Sequence, residues 1–259
     1  MKRIVTAAIS ILCFMAPMAG YGEQLDPSQA VNVAGSQRML SQRMVKAYCQ
    51  MGLGEYFGEP DQQIKDGVAL FERNMTNLAP YIDEGEAAMA AADVRIYWTN
   101  YKSLVTTRPN RADAYKLFDT SERLLAAAQK MVEAIQAATG VKTGAVVNMA
   151  GRQRMLSQRM AMLHMMKIWD ISDEAVEQKS QEARAQFIEA HGKLLREPRN
   201  TPEIKKNLET VANLLKLLDH SLKSKEGLTF TVATTTEKIL KNMDEVTRAY
   251  AELEQTSVK

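Results

Sequence analysis

Cysteine, histidine, aromatic side chains and net charge are all scarce in this 259-residue sequence. With 2 Cys and 3 His it has neither a disulfide framework nor the makings of a multi-histidine metal cage. Cys13 lies in an N-terminal apolar run that reads as a leader, which leaves Cys49 with no intramolecular partner. Cys49 reads as a half-buried small hydrophobe, with an intermolecular disulfide as the alternative. No His-Glu-x-x-His, Glu-x-x-His or Cys-x-x-Cys-His pattern occurs, which argues against zinc, di-iron and covalently attached haem. Met160-Ala-Met-Leu-His-Met-Met166 invites copper(I), since thioethers suit it. His164, however, leaves the helical face that Met162 and Met166 share, and methionine is ordinary bundle filler. His191 and His220 are isolated. Neither Ser41 nor Ser157 has a His or Lys placed as base within a turn, so no nucleophile–base–orienter set is found. The chain reads as a non-enzyme that needs no cofactor.

The formal net charge is +2, and removal of Lys2 and Arg3 with the leader leaves 31 basic against 31 acidic residues. Such a balance gives no electrostatic footprint for nucleic acid or an anionic membrane. Aromatics make up 6%, and stretches with strand-like alternation are few. Ala, Leu, Met, Glu, Lys and Gln are plentiful, and these are good helix formers. The expected fold is all-α. Residues 1–22 begin with Lys2-Arg3, continue through a short apolar run and reach small residues at Ala19, Gly20 and Gly22. This is the pattern of a secretory signal, too short for a comfortable membrane span. Export to the periplasm is expected, with an uncleaved anchor in the inner membrane as the alternative.

What the sequence does have is a repeat. Asn32-Val-Ala-Gly-Ser-Gln-Arg-Met-Leu-Ser-Gln-Arg-Met44 returns as Asn148-Met-Ala-Gly-Arg-Gln-Arg-Met-Leu-Ser-Gln-Arg-Met160, 116 residues later. Weaker echoes put Phe71 and Leu78 opposite Phe187 and Leu194, and Ser121-Glu-Arg-Leu-Leu125 opposite Thr236-Glu-Lys-Ile-Leu240. One long period seen twice implies a doubled domain, 23–140 and 141–259, with a junction at Gly140 to Gly144. Each half reads as four helices with short connections, the plan of an antiparallel four-helix bundle. In the first half they run from about Ser28 to Met51, Pro60 to Ala79, Ala87 to Leu104, and from an Asn110 start to Ala138. In the second they run from about Ala145 to Ile171, from a Ser172 cap to Arg196, from Thr201-Pro202 to near Gly227, and from Phe230 to Glu254. The β-branched run Thr229 to Thr236 is the weakest part of that helical pattern. Tyr97, Trp98 and Tyr101 form an aromatic cluster on the third helix that reads as core.

A shared fold needs only the apolar pattern to agree, yet inside the box the polar letters agree too. Gly35 and Gly151 sit in helical patterns, where glycine costs about 1 kcal/mol relative to alanine. They mark close helix contact or the approach of a backbone or ligand. Arg38 shares a face with Val31, Ala34, Ser41, Val45 and Tyr48, and Arg154 sits likewise among Val147, Ala150, Ser157, Ala161 and His164. Neither box supplies an acidic residue, so each arginine is either snorkelling, structurally paired elsewhere, or waiting for a bound anion. A guanidinium matches small planar oxyanions with a bidentate fork. Arg43 and Arg159 lie five residues further on and point elsewhere, towards salt bridges on the bundle surface.

Asn-x-Ala-Gly-x-x-Arg-Met-x-Ser-x-Arg resembles the signature of the PilJ/NarX-like periplasmic sensor domain, which occurs in nitrate/nitrite sensor kinases and type IV pili methyl-accepting transducers. The resemblance is specific at the box and extends over both halves as helix pattern. It implies four-helix bundles with the motif on the first helix, and nitrate or nitrite held between paired motif arginines. Carried over by position, the ligand arginines are Arg38 and Arg154. Gly35 and Gly151 would provide the close backbone approach, with Asn32, Ser41, Asn148 and Ser157 in support. The chain departs from the family's kinases and transducers in showing no second span, no output region after the last helix, and two boxes on one chain. An anion-binding protein, or a sensor working through a separate membrane-bound or chemotaxis partner, is therefore expected. The competing reading is a structural or interaction module of an envelope or pilus-linked chemosensory assembly. If the two arginines face one another about 4 Å apart they repel by ~4 kcal/mol at an effective dielectric near 20, and a monovalent anion between them reverses the sign.

Overall fold

The computed structural model describes residues 25–140, 144–224 and 227–257, and the leader, residues 1–22, falls outside them. The described residues form eight α-helices. The first four are α1 (Pro27–Gly52), α2 (Pro60–Asn77), α3 (Gly85–Val105) and α4 (Arg111–Thr139). The second four are α5 (Gly144–Ile168), α6 (Glu174–Leu195), α7 (Pro202–Lys223) and α8 (Thr229–Ser257). No strand occurs among the described residues, and no helix there is long and apolar enough to cross a membrane.

Caps explain most of the boundaries. Asp26 accepts from the Gln29 amide while the Gln29 side chain accepts from the Asp26 amide, a reciprocal box that starts α1 with Pro27 at its first position. Asn110 and Thr201 cap α4 and α7 as the sequence predicts. Ahead of α6 the cap is Asp173 rather than Ser172: its carboxylate accepts from Val176 N, and α5 has already ended at Ile168 instead of Ile171. A carboxylate at this position also meets the positive end of the helix, which the serine hydroxyl does not match. The seventh helix stops at Lys223, short of Gly227. Pro80 sits in a single 3-10 turn, Ala79–Tyr81, just after α2. The Thr-rich run from Thr229 is helical: the hydroxyls of Thr234 and Thr236 bond back to carbonyls one turn earlier.

The outer helices are amphipathic and the first helices are not. Along α2 the buried residues are Pro60, Ile64, Gly67, Phe71 and Asn74, one face at helical spacing. Along α1 nearly every residue from Ala34 to Gln50 is buried, and α5 is buried from Gln153 to Met166. A helix buried all round must lie at the centre. Here α1 and α5 pack chiefly against each other, α2 and α4 flank α1, and α6 and α8 flank α5. The third helix rests on α4 and the seventh on α8. The apolar core is continuous through both halves.

Close packing at the far end of this central pair is strict. A Cβ added to Gly52, the last residue of α1, would lie 2.1 Å from the ring of Trp169, which follows α5 and is buried against Tyr48. Gly52→Ala is expected to cost about 1–3 kcal/mol through overpacking, measured as a lower urea midpoint with an unchanged slope. The aromatic cluster is core, with Phe71 stacked on Trp98 at 3.8 Å and Trp98 on Tyr101 at 5.6 Å. Cys49 is fully buried, not half-buried, and desolvation raises its thiol to about 12. A thiol sealed in the core cannot reach a second chain, which removes the intermolecular disulfide.

Candidate functional site

Helices α1 and α5 bring the two boxes face to face. Arg38 and Arg154 are both buried, at 0% and 3% exposure. Their Nη2 atoms lie 3.7 and 3.2 Å from a Cβ built on Gly151, and are therefore at most 6.9 Å apart. The same construction on Gly35 meets Arg38 Nη2 at 3.1 Å and Arg154 Nη2 at 3.9 Å. Each glycine thus faces both guanidiniums, and a methyl group at either position would press on the nearer one. This is the close approach that the glycines signal in the sequence.

The asparagines of the boxes cross over. Arg38 Nη2 donates to Asn148 Oδ1 at 2.8 Å, and Arg154 Nη2 donates to Asn32 Oδ1 at 2.7 Å and to the Asn32 carbonyl at 3.4 Å. The box serines turn away: the Ser41 and Ser157 hydroxyls donate to the Arg38 and Arg154 carbonyls, each at 2.8 Å. Both are buried, and each ties down the helix beneath its arginine.

Besides the Gly35 carbonyl, 3.5 Å from Arg38 Nε, the remaining partners come from the last helix of each half. Arg38 Nη1 donates to Gln129 Oε1 on α4, and Arg154 Nη1 donates to Asp244 Oδ1 on α8 at 2.6 Å. Among the described residues the groups bonded to Arg38 are neutral, whereas Arg154 has a protein counter-ion in Asp244, which overturns the expectation of none there. Local sequence could not show Asp244, which lies 90 residues from Arg154. Burial, with Arg154 as the second cause and Arg152 as the third, pushes the Arg38 guanidinium down to about 9, against a pull upward from Glu133. Burial also lowers Arg154, while Asp244 opposes it. At about 9, Arg38 remains charged at neutral pH.

Arg43 and Arg159 make the predicted salt bridges, and they make them across the halves. Arg43 on α1 meets Glu237 on α8 at 2.9 Å, and Arg159 on α5 meets Glu122 on α4 through Nη2 at 2.7 Å. Arg159 is more buried than a surface role implies, at 7%, and also donates to Gln42 Oε1 at 2.9 Å. Lys46, a turn beyond Arg43, is fully buried and also bonded to Glu237. Its counterpart in the second half, two residues beyond the box, is Met162, so the repeat gave no hint of it.

One signal in the sequence could have located these partners. Glu122 and Glu237 are 115 residues apart, the offset of the Ser121–Leu125 echo. Seven residues further along the same face stand Gln129 and Asp244, at the same offset. The two halves thus place equivalent positions on their arginines, with an amide in one and a carboxylate in the other. Gln129 and Asn148, both bonded to Arg38, also line an open cavity of about 250 Å³ with Arg152, Gln186 and Lys193.

Two buried, like-charged forks, one bonded to amide oxygens and the other also to a carboxylate, can accept a small anion in place of the amide oxygens, which are uncharged. Residues 23–104 and 135–251 match the family described as type IV pili methyl-accepting chemotaxis transducer N-term, PilJ. No curated protein and no solved structure matches the chain. The two matched segments take in both boxes and most of the helical core around them, and the chain belongs to the PilJ family.

Proposed function

We propose that the chain binds and senses a small oxyanion, nitrate or nitrite first, between the motif helices of two PilJ/NarX-like bundles, 23–140 and 141–259. Arg38 and Arg154 hold the ligand, Gly35 and Gly151 let the helices close on it, and Asn32 and Asn148 are the neutral groups it displaces. The observation that carries this reading is Arg38: a fully buried guanidinium beside a second one, hydrogen-bonded among the described residues to uncharged groups. Burying a charge without a counter-ion is costly, and an anion from solution relieves both that cost and the repulsion from Arg154. Ligand then draws α1 and α5 together, a differential interaction able to shift a conformational population. Export to the periplasm and a separate membrane-bound sensor or chemotaxis partner complete the proposal, and the chain's role is binding rather than catalysis.

Calorimetric titration with nitrate and nitrite tests it. One anion per chain is expected, with affinity reduced by both Arg38→Ala and Arg154→Ala. Affinity untouched by Arg38→Ala but abolished by Arg154→Ala rules out a shared site. A second reading, a packing or interaction module without a ligand, draws on the Arg154–Asp244 pair, which is complete as it stands. Thermal melts separate the two readings: a packing module shows no selective shift with nitrate over chloride.

A further inference from the structure

Two differences between the halves fall on the arginine pair, and both favour the same side. Gln129 stands at Arg38 where Asp244 stands at Arg154. Within the boxes, Arg152 occupies the position equivalent to Ser36. Ser36 is bonded to the Val33 carbonyl and to Asn74, and brings no charge. Arg152 is exposed, lines the cavity behind Gln129 and Asn148, and is near enough to disfavour the charge on Arg38. Lys193 stands on the same wall. Carboxylates stand on this side too: Glu189 in the cavity wall and Glu133, both exposed, with Glu122 and Glu182 in the adjoining cavity; Glu133 accepts from the Gln129 amide at 2.6 Å and favours the charge on Arg38 through space without bonding it. On the other side the Asp244 carboxylate bonds Arg154 directly and Arg248 at 3.2 Å.

We propose, on the footing of the anion reading above, that the site is lopsided: a singly charged oxyanion binds off-centre on Arg38. It enters through the cavity lined by Gln129, Asn148 and Arg152, and Asp244 excludes anions that carry a second negative charge. The two guanidiniums are buried and the one carboxylate bonded to them, Asp244, is partly exposed, so the three charges at the centre sum to a single net positive charge. The anion's oxygens take the places of Gln129 Oε1 at Nη1 and Asn148 Oδ1 at Nη2, converting two neutral hydrogen bonds into charge-assisted ones. A dianion brings one charge too many and meets Asp244 across the narrow gap between the arginines. Gln129, Asp244 and Arg152 are then the residues that set specificity.

The test is calorimetry with sodium nitrate and sodium sulfate on the full chain and on Gln129→Glu, Asp244→Asn and Arg152→Ser, each first checked for a cooperative melt. The wild type is expected to bind nitrate and not sulfate. Gln129→Glu should weaken nitrate on the order of 50-fold, the effect of a unit charge roughly 7 Å away at an effective dielectric near 20. Asp244→Asn should bring in sulfate, and Arg152→Ser, a surface change that copies Ser36, should weaken nitrate several-fold. If the wild type binds nitrate and sulfate alike, or if nitrate affinity ignores both Gln129→Glu and Arg152→Ser, the lopsided site is wrong while anion binding stands. If neither the wild type nor any variant binds either anion, the anion reading falls, and this inference with it.

Discussion

Glu237→Ala is expected to be the most damaging single substitution in the polar layer between the halves, costing about 3 kcal/mol or more. The carboxylate holds two cations, Arg43 at 2.9 Å and the wholly buried Lys46. Removing it strands an ammonium in the core, and the desolvation of that charge is then uncompensated. Lys46→Met should behave in the opposite way. It installs the residue that the second half carries at the equivalent position, Met162, and leaves Glu237 its bond to Arg43, so stability should be close to unchanged. The double variant Lys46→Met with Glu237→Ala should recover most of the loss. Urea denaturation of the three proteins checks this, and equal losses for Glu237→Ala and the double variant would show that the buried ammonium is not the cause.

The same cluster sets an acid dependence. Despite the burial that opposes it, Lys46 and Arg43 hold the Glu237 carboxyl down to about 2, from 4.5 in the open chain. Its contribution is complete above pH 4.5 and is lost as the pH falls towards 2. Lys46 is itself pushed down, because burial outweighs a carboxylate it must share with Arg43. Stability measured between pH 6 and 3 should therefore fall in the wild type and fall less in the double variant, which lacks this carboxyl.

Arg38→Met is expected to uncouple folding from the anion response. In the ligand-free protein Arg38 is disfavoured by burial and by Arg154, no more than 6.9 Å away. A repulsion of about 2 kcal/mol at that range, for an effective dielectric near 20, vanishes with the charge. Methionine fills much of the same volume, whereas alanine would leave a cavity costing about 2–5 kcal/mol. The Met variant should melt at or above the wild type without anion. Nitrate at 100 times its dissociation constant should stabilise the wild type by ~2.7 kcal/mol and the variant not at all. A variant that melts well below the wild type and still responds to nitrate would assign Arg38 to the structure alone.

How much of this was legible beforehand depended on the range of the interaction. The helices could be read because capping and apolar spacing act over three or four residues, as at Asn110, Thr201 and along α2. The box could be read because polar identity at Arg38, Gly35 and Asn32, repeated at Arg154, Gly151 and Asn148, exceeds what a shared apolar pattern requires. Ser172 and Asp173 are adjacent polar residues that compete for the cap, and only the turn geometry selects Asp173.

The sequence by itself determined an all-α chain, its two-fold repeat, and an arginine, a glycine and an asparagine placed alike in each copy. Only the tertiary structure decided that α1 lies along α5, that each asparagine serves the other half's arginine, and that Asp244 neutralises Arg154 while Gln129 leaves Arg38 charged. The reason is physical. Periodicity fixes which face of a helix a residue occupies, but the charge a buried group feels is set by whatever helix packs against that face. Here the decisive groups arrive from 90 and 91 residues away.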